Sequence, residues 1–299
     1  MKLNKLTLKD KRLFERYLSL KPHNLAVYAW ENIYIWRGLF DIRWQIIEEA
    51  LCIFFQDNIG CFLYLAPLAQ KLNPAVIDKV FKILNAGNKN QEVSRIENVE
   101  EPEIEAYHRL GYDVEEKPGD YLCLKAQLAD LKGNHLKHKR ASANYFVKNY
   151  SFQYLPFSKK YLFECLALYH LWASERKDKY ADKIYRGMIK DSLTALEILL
   201  NNYQKFNCIG RIVKVGQRIK AFSFGFKLNA ETFCILYEIS DLSVRGLAQF
   251  IFREFCRELK DYKYINIMDD SGLENLKKVK LSYKPVKLIP SYIVKRKVS

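Results

Sequence analysis

The sequence predicts an α+β chain of two similarly built halves, each a mixed, mostly antiparallel sheet flanked by helices. Three observations carry this expectation. One order of elements (helix, three-strand meander, helix, strand, helix, strand) occurs twice along the chain. The 299 residues are 49% hydrophobic and 14% aromatic, enough for two cores of ordinary domain size, with only 12 Gly and 8 Pro. Charge also divides the chain: residues 1–120 hold 16 Lys/Arg against 18 Asp/Glu, and residues 121–299 hold 33 against 16.

In the first half, "TLKDKRLFERYLSL" sets Leu8, Phe14, Tyr17 and Leu18 at helical spacing. "WQIIEE", "ALCIFFQ" and "CFLYLAPL" are three short β-rich runs separated by breaks such as "DNIG". "NPAVIDKVFKIL" is a helix with Asn73 as its cap and Pro74 in its first turn. "SRIENV" is a strand, "EEPEIEAYHRL" a helix stopped by Gly111, and "YDVEEKPGDYLCL" extended chain.

The second half repeats the order. "SKKYLFECLALYHLWA" and "KIYRGMIKDSLTALEILLNNY" are helical. "CIGRIVKV", "RIKAFSFGFKL" and "TFCILYEIS" are strands, the first two joined by a Gly-Gln turn. "VRGLAQFIFREFCREL" is an amphipathic helix, "YINIMD" a strand, "GLENLKKVKLSY" a helix and "PVKLIPSYIVKR" a last strand. The boundaries that follow are 1–124 for the first domain, 125–150 for a basic helical connector, and 151–299 for the second.

Several function classes are excluded or weakened. The N-terminus has scattered charges and no apolar core of a signal peptide. The longest apolar runs fall well short of the ~18–20 residues that span a bilayer. A soluble, cytoplasmic protein is expected, with any membrane contact peripheral. None of the seven Cys forms a C-x-x-C pair, and most sit in apolar stretches, which suits buried thiols in a reducing compartment. His135 and His138 lack a third ligand at metal-like spacing, so no metal is expected. His170, on an apolar helix, reads as a core histidine.

The basic field of the second half suits an anionic partner: nucleic acid, anionic lipid or a nucleotide cofactor. A basic surface that serves only solubility stays open. The run "KGNHLKHKRASANYF" (132–146) concentrates this charge between the halves.

The element order resembles the GNAT (acyl-CoA N-acyltransferase-like) fold in tandem. "YHRLGY" (107–112), a helix running into Leu-Gly-aromatic, and "SDLSVRGLAQ" are its local cues. GNAT enzymes place a Gln/Arg-x-x-Gly-x-Gly/Ala turn after the third strand, whose N–H groups hold the pyrophosphate of coenzyme A. Arg245, Gly246 and Ala248 are the donor-phosphate candidates by this resemblance, although Ser243 stands where Gln or Arg is expected.

A longer resemblance runs through "INIMDDSGLENLKKVKLSYKPV" (265–286). It is similar to the C-terminal signature of a bacterial family of unknown function that shares the catalytic domain of phosphatidylglycerol lysyltransferases. Asn266, Asp270, Gly272, Leu276, Lys277, Lys278, Lys280, Ser282, Tyr283 and Pro285 fit the signature, and Met268 stands where Glu is frequent. Lys132, Gly133, Lys139, Arg140, Asn144 and Phe146 fit the family's basic segment. "YEISD" is similar to its Glu-Lys-Ala-Asp segment, with Glu238 in the glutamate position and Ile239 replacing Lys. "HNLAVYAWENIYIWR" extends the match to the N-terminal part through Asn32 and Trp36.

The resemblance implies an acyl or aminoacyl transferase working in the second domain. A GNAT-like site lies where the third and fourth major strands splay apart, here "TFCILYEIS" and "YINIMD". Glu238 and Asp270 are candidates to orient or deprotonate an acceptor amine or hydroxyl, and Tyr283 to protonate the leaving group. Lys139, Arg140, Asn144, Asn266, Lys280 and Ser282 are candidate substrate ligands. Each has a plainer reading: Glu238 as a salt-bridged carboxylate, Tyr283 as a core aromatic, the lysines as a solvated helix face. No cofactor is certain; charged tRNA and acyl-coenzyme A both remain as donors. An ordinary acetyl-coenzyme A N-acetyltransferase and a non-catalytic tRNA- or anion-binding module are the alternatives.

Overall fold

The computed structural model describes residues 3–179 and 182–297, and the chain forms two compact units. The first is Met1–Asp120 with Ile289–Ser299, and the second is Tyr121–Leu288. The sequence boundaries were drawn at 124 and 150; in the structure the connector lies inside the second unit, and the last strand belongs to the first. With this division the second unit holds 30 Lys/Arg against 16 Asp/Glu, and the first is nearly balanced at 19 against 18.

The first unit contains Asn4–Lys5 (β1), Lys11–Leu18 (α1), Trp30–Ile35 (α2), Asp41–Ile47 (β2), Ala50–Gln56 (β3) and Cys61–Leu63 (β4). Pro74–Gly87 (α3), Arg95–Glu100 (β5) and Ile104–Arg109 (α4) follow, then Tyr112–Leu124 (β6), of which residues 112–120 belong here. Its strands run in the order β1-β2-β3-β4-β5, with Lys287–Arg296 (β12) beyond β5. The Asn73 side chain caps α3 by accepting the Ala75 N–H at 3.0 Å, and Pro74 takes the first turn, where no N–H is needed. Val76, Ile77, Val80, Phe81 and Leu84 then form the apolar stripe that α3 buries against β3, β5 and β12.

The hairpin from β2 to β3 turns at Glu48 and Glu49, both left-handed (φ 44° and 68°). Such turns favour Asn-Gly because a Cβ is strained there. Lys79 and Asn73 hold the Glu48 carboxylate and keep the turn in place. Glu49 is exposed, so Glu49→Gly is expected to stabilise the protein by about 1 kcal/mol, read as a higher thermal midpoint.

Parallel pairing of β4 with β5 is confined to Leu63 and Ile96, so these strands fork early. The fork is stitched shut. Asn98 donates from Nδ2 to the Tyr64 carbonyl at 2.8 Å, and the Tyr28 hydroxyl donates to the Asn98 carbonyl at 2.8 Å. His23 and Glu100 pair at 2.7 Å beside them.

The second unit begins with residues 121–124 of β6. It continues through Lys125–Asp130 (α5), Lys137–Asn149 (α6), Phe152–Pro156 (β7), Leu162–Lys179 (α7), Lys183–Asn201 (α8) and Cys208–Val215 (β8). Arg218–Lys227 (β9), Thr232–Ser240 (β10), Leu247–Glu258 (α9), Tyr264–Asn266 (β11) and Glu274–Leu281 (α10) complete it. The strand order is β6-β11-β10-β9-β8-β7, antiparallel except for β10 with β11. Edge strand β7 was not expected from the sequence. The meander β8-β9-β10 was, and Gly216 makes its first turn at φ 61°.

Leu131, Leu136, Ala143 and Phe146 pack with Leu247, Phe250 and Ile251 of α9, so the connector is a built part of the core. His170 corrects the sequence reading: it lies on the exposed side of α7, because Cys165, Leu168, Tyr169 and Ala173 are the residues that α7 buries. All seven Cys are free; Cys61 and Cys208 are half-buried and the other five buried. Among the described residues no helix is long and apolar enough to cross a membrane, and no group of three or more His, Cys, Asp or Glu could hold a metal ion.

Candidate active site

The second unit also has a strand fork, between β10 and β11. β10 pairs with β11 only over Thr232–Cys234 against Tyr264–Asn266, yet β10 runs on to Ser240. Beyond Asn266 the chain stays with β6: the Ile267 N–H bonds the Tyr121 carbonyl, and the Tyr121 N–H the Met268 carbonyl. Asn266 helps to cause the departure. It is buried, its Oδ1 accepts the Met268 N–H at 2.7 Å, and Met268 is left-handed at φ 61°.

A β-bulge aims the key side chain. In register with β9, Ile235 opposes Gly225, Tyr237 opposes Phe224 and Glu238 opposes Ser223, so Leu236 is the extra residue. Opposed residues share a face, and residues 223 and 225 share one by the period of two. Ile235 and Glu238 therefore face the same way, although three positions apart. Ile235 packs with Phe252, Phe255 and Tyr283 on that face, while the Tyr237 hydroxyl donates to Ser192 of α8 at 2.9 Å. Without the bulge, Glu238 would point toward α8.

Glu238 is half-buried beside Lys139, Lys280, Tyr283 and Cys256. Burial pushes its carboxyl up to about 8, against the opposing pull of Lys139 and then Lys280. Among the described residues it has no hydrogen bond or ion pair, which is unusual for a carboxyl so placed. Lys139 projects from the inward stripe of α6, four residues before buried Ala143. Its Nζ sits 3.8 Å from the centroid of the Tyr283 ring. Burial lowers the Lys139 pKa, and the Glu238 charge partly restores it. Lys280 donates to the Ile267 carbonyl at the fork. Tyr283 is buried against Phe252, and burial, then the Glu238 charge, hold its hydroxyl protonated well above the usual phenol range. Removing Lys139 (Lys139→Met) is expected to move the Glu238 titration upward, since Lys139 favours the carboxylate. Carboxyl carbon NMR across pH 6–10 would show the shift, and a downward shift would break the assigned pairing.

Four of the candidate residues thus converge: Glu238, Tyr283, Lys139 and Lys280. Asp270, Arg140, Asn144 and Ser282 make bonds in the frame around them. Asp270 is buried, accepts the Tyr121 hydroxyl, and takes the Gly272 N–H at 2.9 Å. Arg140 donates to the carbonyls of Leu131 and Gly133, fastening the turn before α6. Asn144 accepts from Arg253 at 2.8 Å, and Ser282 bonds back to the Val279 carbonyl at the end of α10. Arg253 was missed in the sequence, although an Arg inside the apolar "FIFREFC" is a signal that it needs a buried partner.

The turn before α9 is already occupied. Asp241 is buried, and its Oδ1 accepts the Ser243 N–H at 2.9 Å and the Ser243 hydroxyl. Its Oδ2 takes the Lys220 ammonium at 2.6 Å. Burial would raise its pKa, but Lys220 and Ser243 hold it below the usual carboxylate range. Gly246 caps α9 at φ 82°, and a Cβ there would collide with the Ser142 carbonyl of α6. Arg245 stacks over Tyr145, with its guanidinium 4.4 Å from the ring centroid. Gly246 is therefore a close-packing glycine, and an internal carboxylate sits on the turn that would meet a donor's pyrophosphate.

Solved structures share this architecture. A conserved protein of unknown function from Bacteroides thetaiotaomicron is 26% identical, with a TM-score of 0.86 over 99% of both chains. L-PGS from Bacillus licheniformis is 17% identical, with a TM-score of 0.67 over 97% of this chain and 93% of that one. FemX is 9% identical, with a TM-score of 0.64 over 99% of this chain and 98% of that one. No curated protein matches the sequence. The fold is the tandem GNAT-like acyltransferase fold, as expected from the element order. Residues 23–295 match the family described as phosphatidylglycerol lysyltransferase, C-terminal, and with nearly the whole length matched the chain belongs to that family.

Proposed function

We propose that the second unit transfers an activated acyl group, specifically an aminoacyl group from charged tRNA, to an amine or hydroxyl acceptor. The observation that carries this is Glu238: a carboxyl near pH 8, with no hydrogen bond or ion pair among the described residues, on β10 beyond the point where its pairing with β11 ends. A base tuned close to neutral pH suits deprotonation of an acceptor. In the step, the acceptor oxygen or nitrogen attacks the ester carbonyl carbon while Glu238 takes its proton. The oxyanion forms beside the Lys139 and Lys280 ammonium groups. Collapse breaks the ester C–O bond, and the departing sugar oxygen takes a proton from the Tyr283 hydroxyl. The phenol is then restored from the Glu238 carboxyl, which balances the protons.

The occupied turn at Asp241 and Gly246 supports a donor other than coenzyme A. The stitched fork of the first unit supports a single working site. The test supplies tRNA charged with labelled amino acids and, in parallel, labelled acetyl-coenzyme A, each with phosphatidylglycerol vesicles or small amines as acceptors. Transfer from the tRNA is expected, and it should be lost in Glu238→Gln. Transfer from acetyl-coenzyme A alone would establish the acetyltransferase instead. Transfer from neither would end the enzyme reading.

A further inference from the structure

The run "AFSFGF" (221–226) gives β9 two unlike faces. Phe222, Phe224 and Phe226 lie on one, and Ala221, Ser223 and Gly225 on the other, by the period of two. The small face is the one that Glu238 shares, since Glu238 opposes Ser223 and Ile235 opposes Gly225. Ser223 is fully buried, and a buried hydroxyl needs a partner. Although Glu238 is its cross-strand neighbour, its hydroxyl donates to the Tyr237 carbonyl, at 3.0 Å, inside the bulge. A bulge breaks the ladder locally, so its backbone groups need other partners. Gly225 serves the other side of the bulge. A Cβ there would stand 2.4 Å from the Cys234 carbonyl oxygen, so only glycine lets β10 lie this close.

We propose that Ser223 is a positioning residue: its hydroxyl holds the bulge at Leu236 and so keeps Glu238 turned toward Lys139 and Tyr283. The bulge is a choice between two registers. With Leu236 drawn back into the ladder, the side chains beyond it would change face, and Glu238 would point toward α8. Two bonds oppose that slip. The Tyr237 hydroxyl donates to the Ser192 carbonyl at 2.9 Å and anchors the side toward α8. Ser223 ties the Tyr237 backbone from the strand next to it. The consequence for rate rests on the transfer proposed above; the direction of the Glu238 side chain does not.

The experiment reads that direction through charge, in the full chain with no donor or acceptor present. Carboxyl carbon NMR follows the Glu238 titration. Lys139→Met is expected to raise it in the unaltered chain, since Lys139 favours the carboxylate. In Ser223→Ala, and in Ser223→Cys, whose thiol is a weak donor, the same substitution is expected to raise it clearly less, as a double-mutant cycle reads. Ser223→Thr keeps the hydroxyl and is expected to restore the shift. Lys280, Tyr283 and Cys256, the other titratable groups beside Glu238, are unaltered in all of these variants. Alanine and cysteine nearly conserve the buried volume, and circular dichroism checks that both variants fold. With the proposed transfer in hand, Ser223→Ala should also lower kcat by roughly fivefold to tenfold at little cost in KM, the scale of one buried hydrogen bond. Reduced coupling without any transfer would keep the positioning role and remove the reaction. A full Lys139→Met shift in the folded Ser223 variants would overturn the inference, and a lowered thermal midpoint beside it would make Ser223 a structural serine. No shift in the unaltered chain would overturn it too, because Glu238 would then not face Lys139.

Discussion

Glu238→Gln is expected to reduce acyl transfer by roughly 10²–10⁴-fold, the usual scale for losing a general base. The pH profile carries more information than the loss. The active form of this base is the carboxylate, whose fraction rises as pH rises through about 8. kcat/KM of the unaltered chain should therefore climb through that range, and the residual rate of the variant should not. Stability should move the other way. The folded-state pKa of Glu238 is raised above its unfolded value, so its contribution is most favourable at low pH and is lost as pH climbs through about 8. At pH 9 the native protein holds a charged, half-buried carboxylate that the Gln variant lacks. The variant should then be more stable by about 1 kcal/mol, discounted for the part of the group that solvent reaches, with the gap closing by pH 5. A variant less stable at pH 9 and equally slow would mean that Glu238 holds the fold and does not react.

The second large effect is expected at Gly246. Its φ of 82° disfavours any side chain, and a Cβ would collide with the Ser142 backbone carbonyl. Gly246→Ala must therefore push α6 away from α9, at a cost of about 3 kcal/mol. In a chain of this size that is roughly 6–12 °C in the thermal midpoint. Lys139 rides on α6, so activity should fall with it. A glycine that served to hold a donor's phosphate would behave differently: Gly246→Ala would raise the donor KM with the thermal midpoint unchanged.

The architecture is legible in the sequence because it is written in local patterns. The meander strands end at breaks that residues such as Gly216 make explicit, and Asn73-Pro74 announces α3 by its own chemistry. The direction of Glu238 was not legible. Alternation along "TFCILYEIS" puts Glu238 opposite to Ile235, and only the register with β9 shows that Leu236 is inserted. Bulges are properties of a strand pair, so one strand's sequence does not reveal them. The bonds that Asn266 and Asp270 make were not legible for a related reason. A buried Asn or Asp that shapes a turn carries the same letters as one that meets a substrate, and only its bonds to Met268, Gly272 and Tyr121 tell the two apart. Gly246 and Ala248 fit a phosphate turn in spacing, with Ser243 where Gln or Arg is expected. The carboxylate already seated there comes from Asp241, two residues before the Ser whose N–H it accepts.

The position of β12 has a consequence for how the protein comes into being. Val294 is fully buried in the first unit's core, and β12 pairs along β5, yet it is made after the entire second unit. During synthesis the first 120 residues must wait, with β5 presenting an unpaired edge that invites pairing with other chains. The second unit, continuous from Tyr121 to Leu288, can fold as soon as it emerges. The order of folding on the ribosome is thus the reverse of the order of synthesis: the later unit matures first, and the earlier one is completed by the strand that closes it.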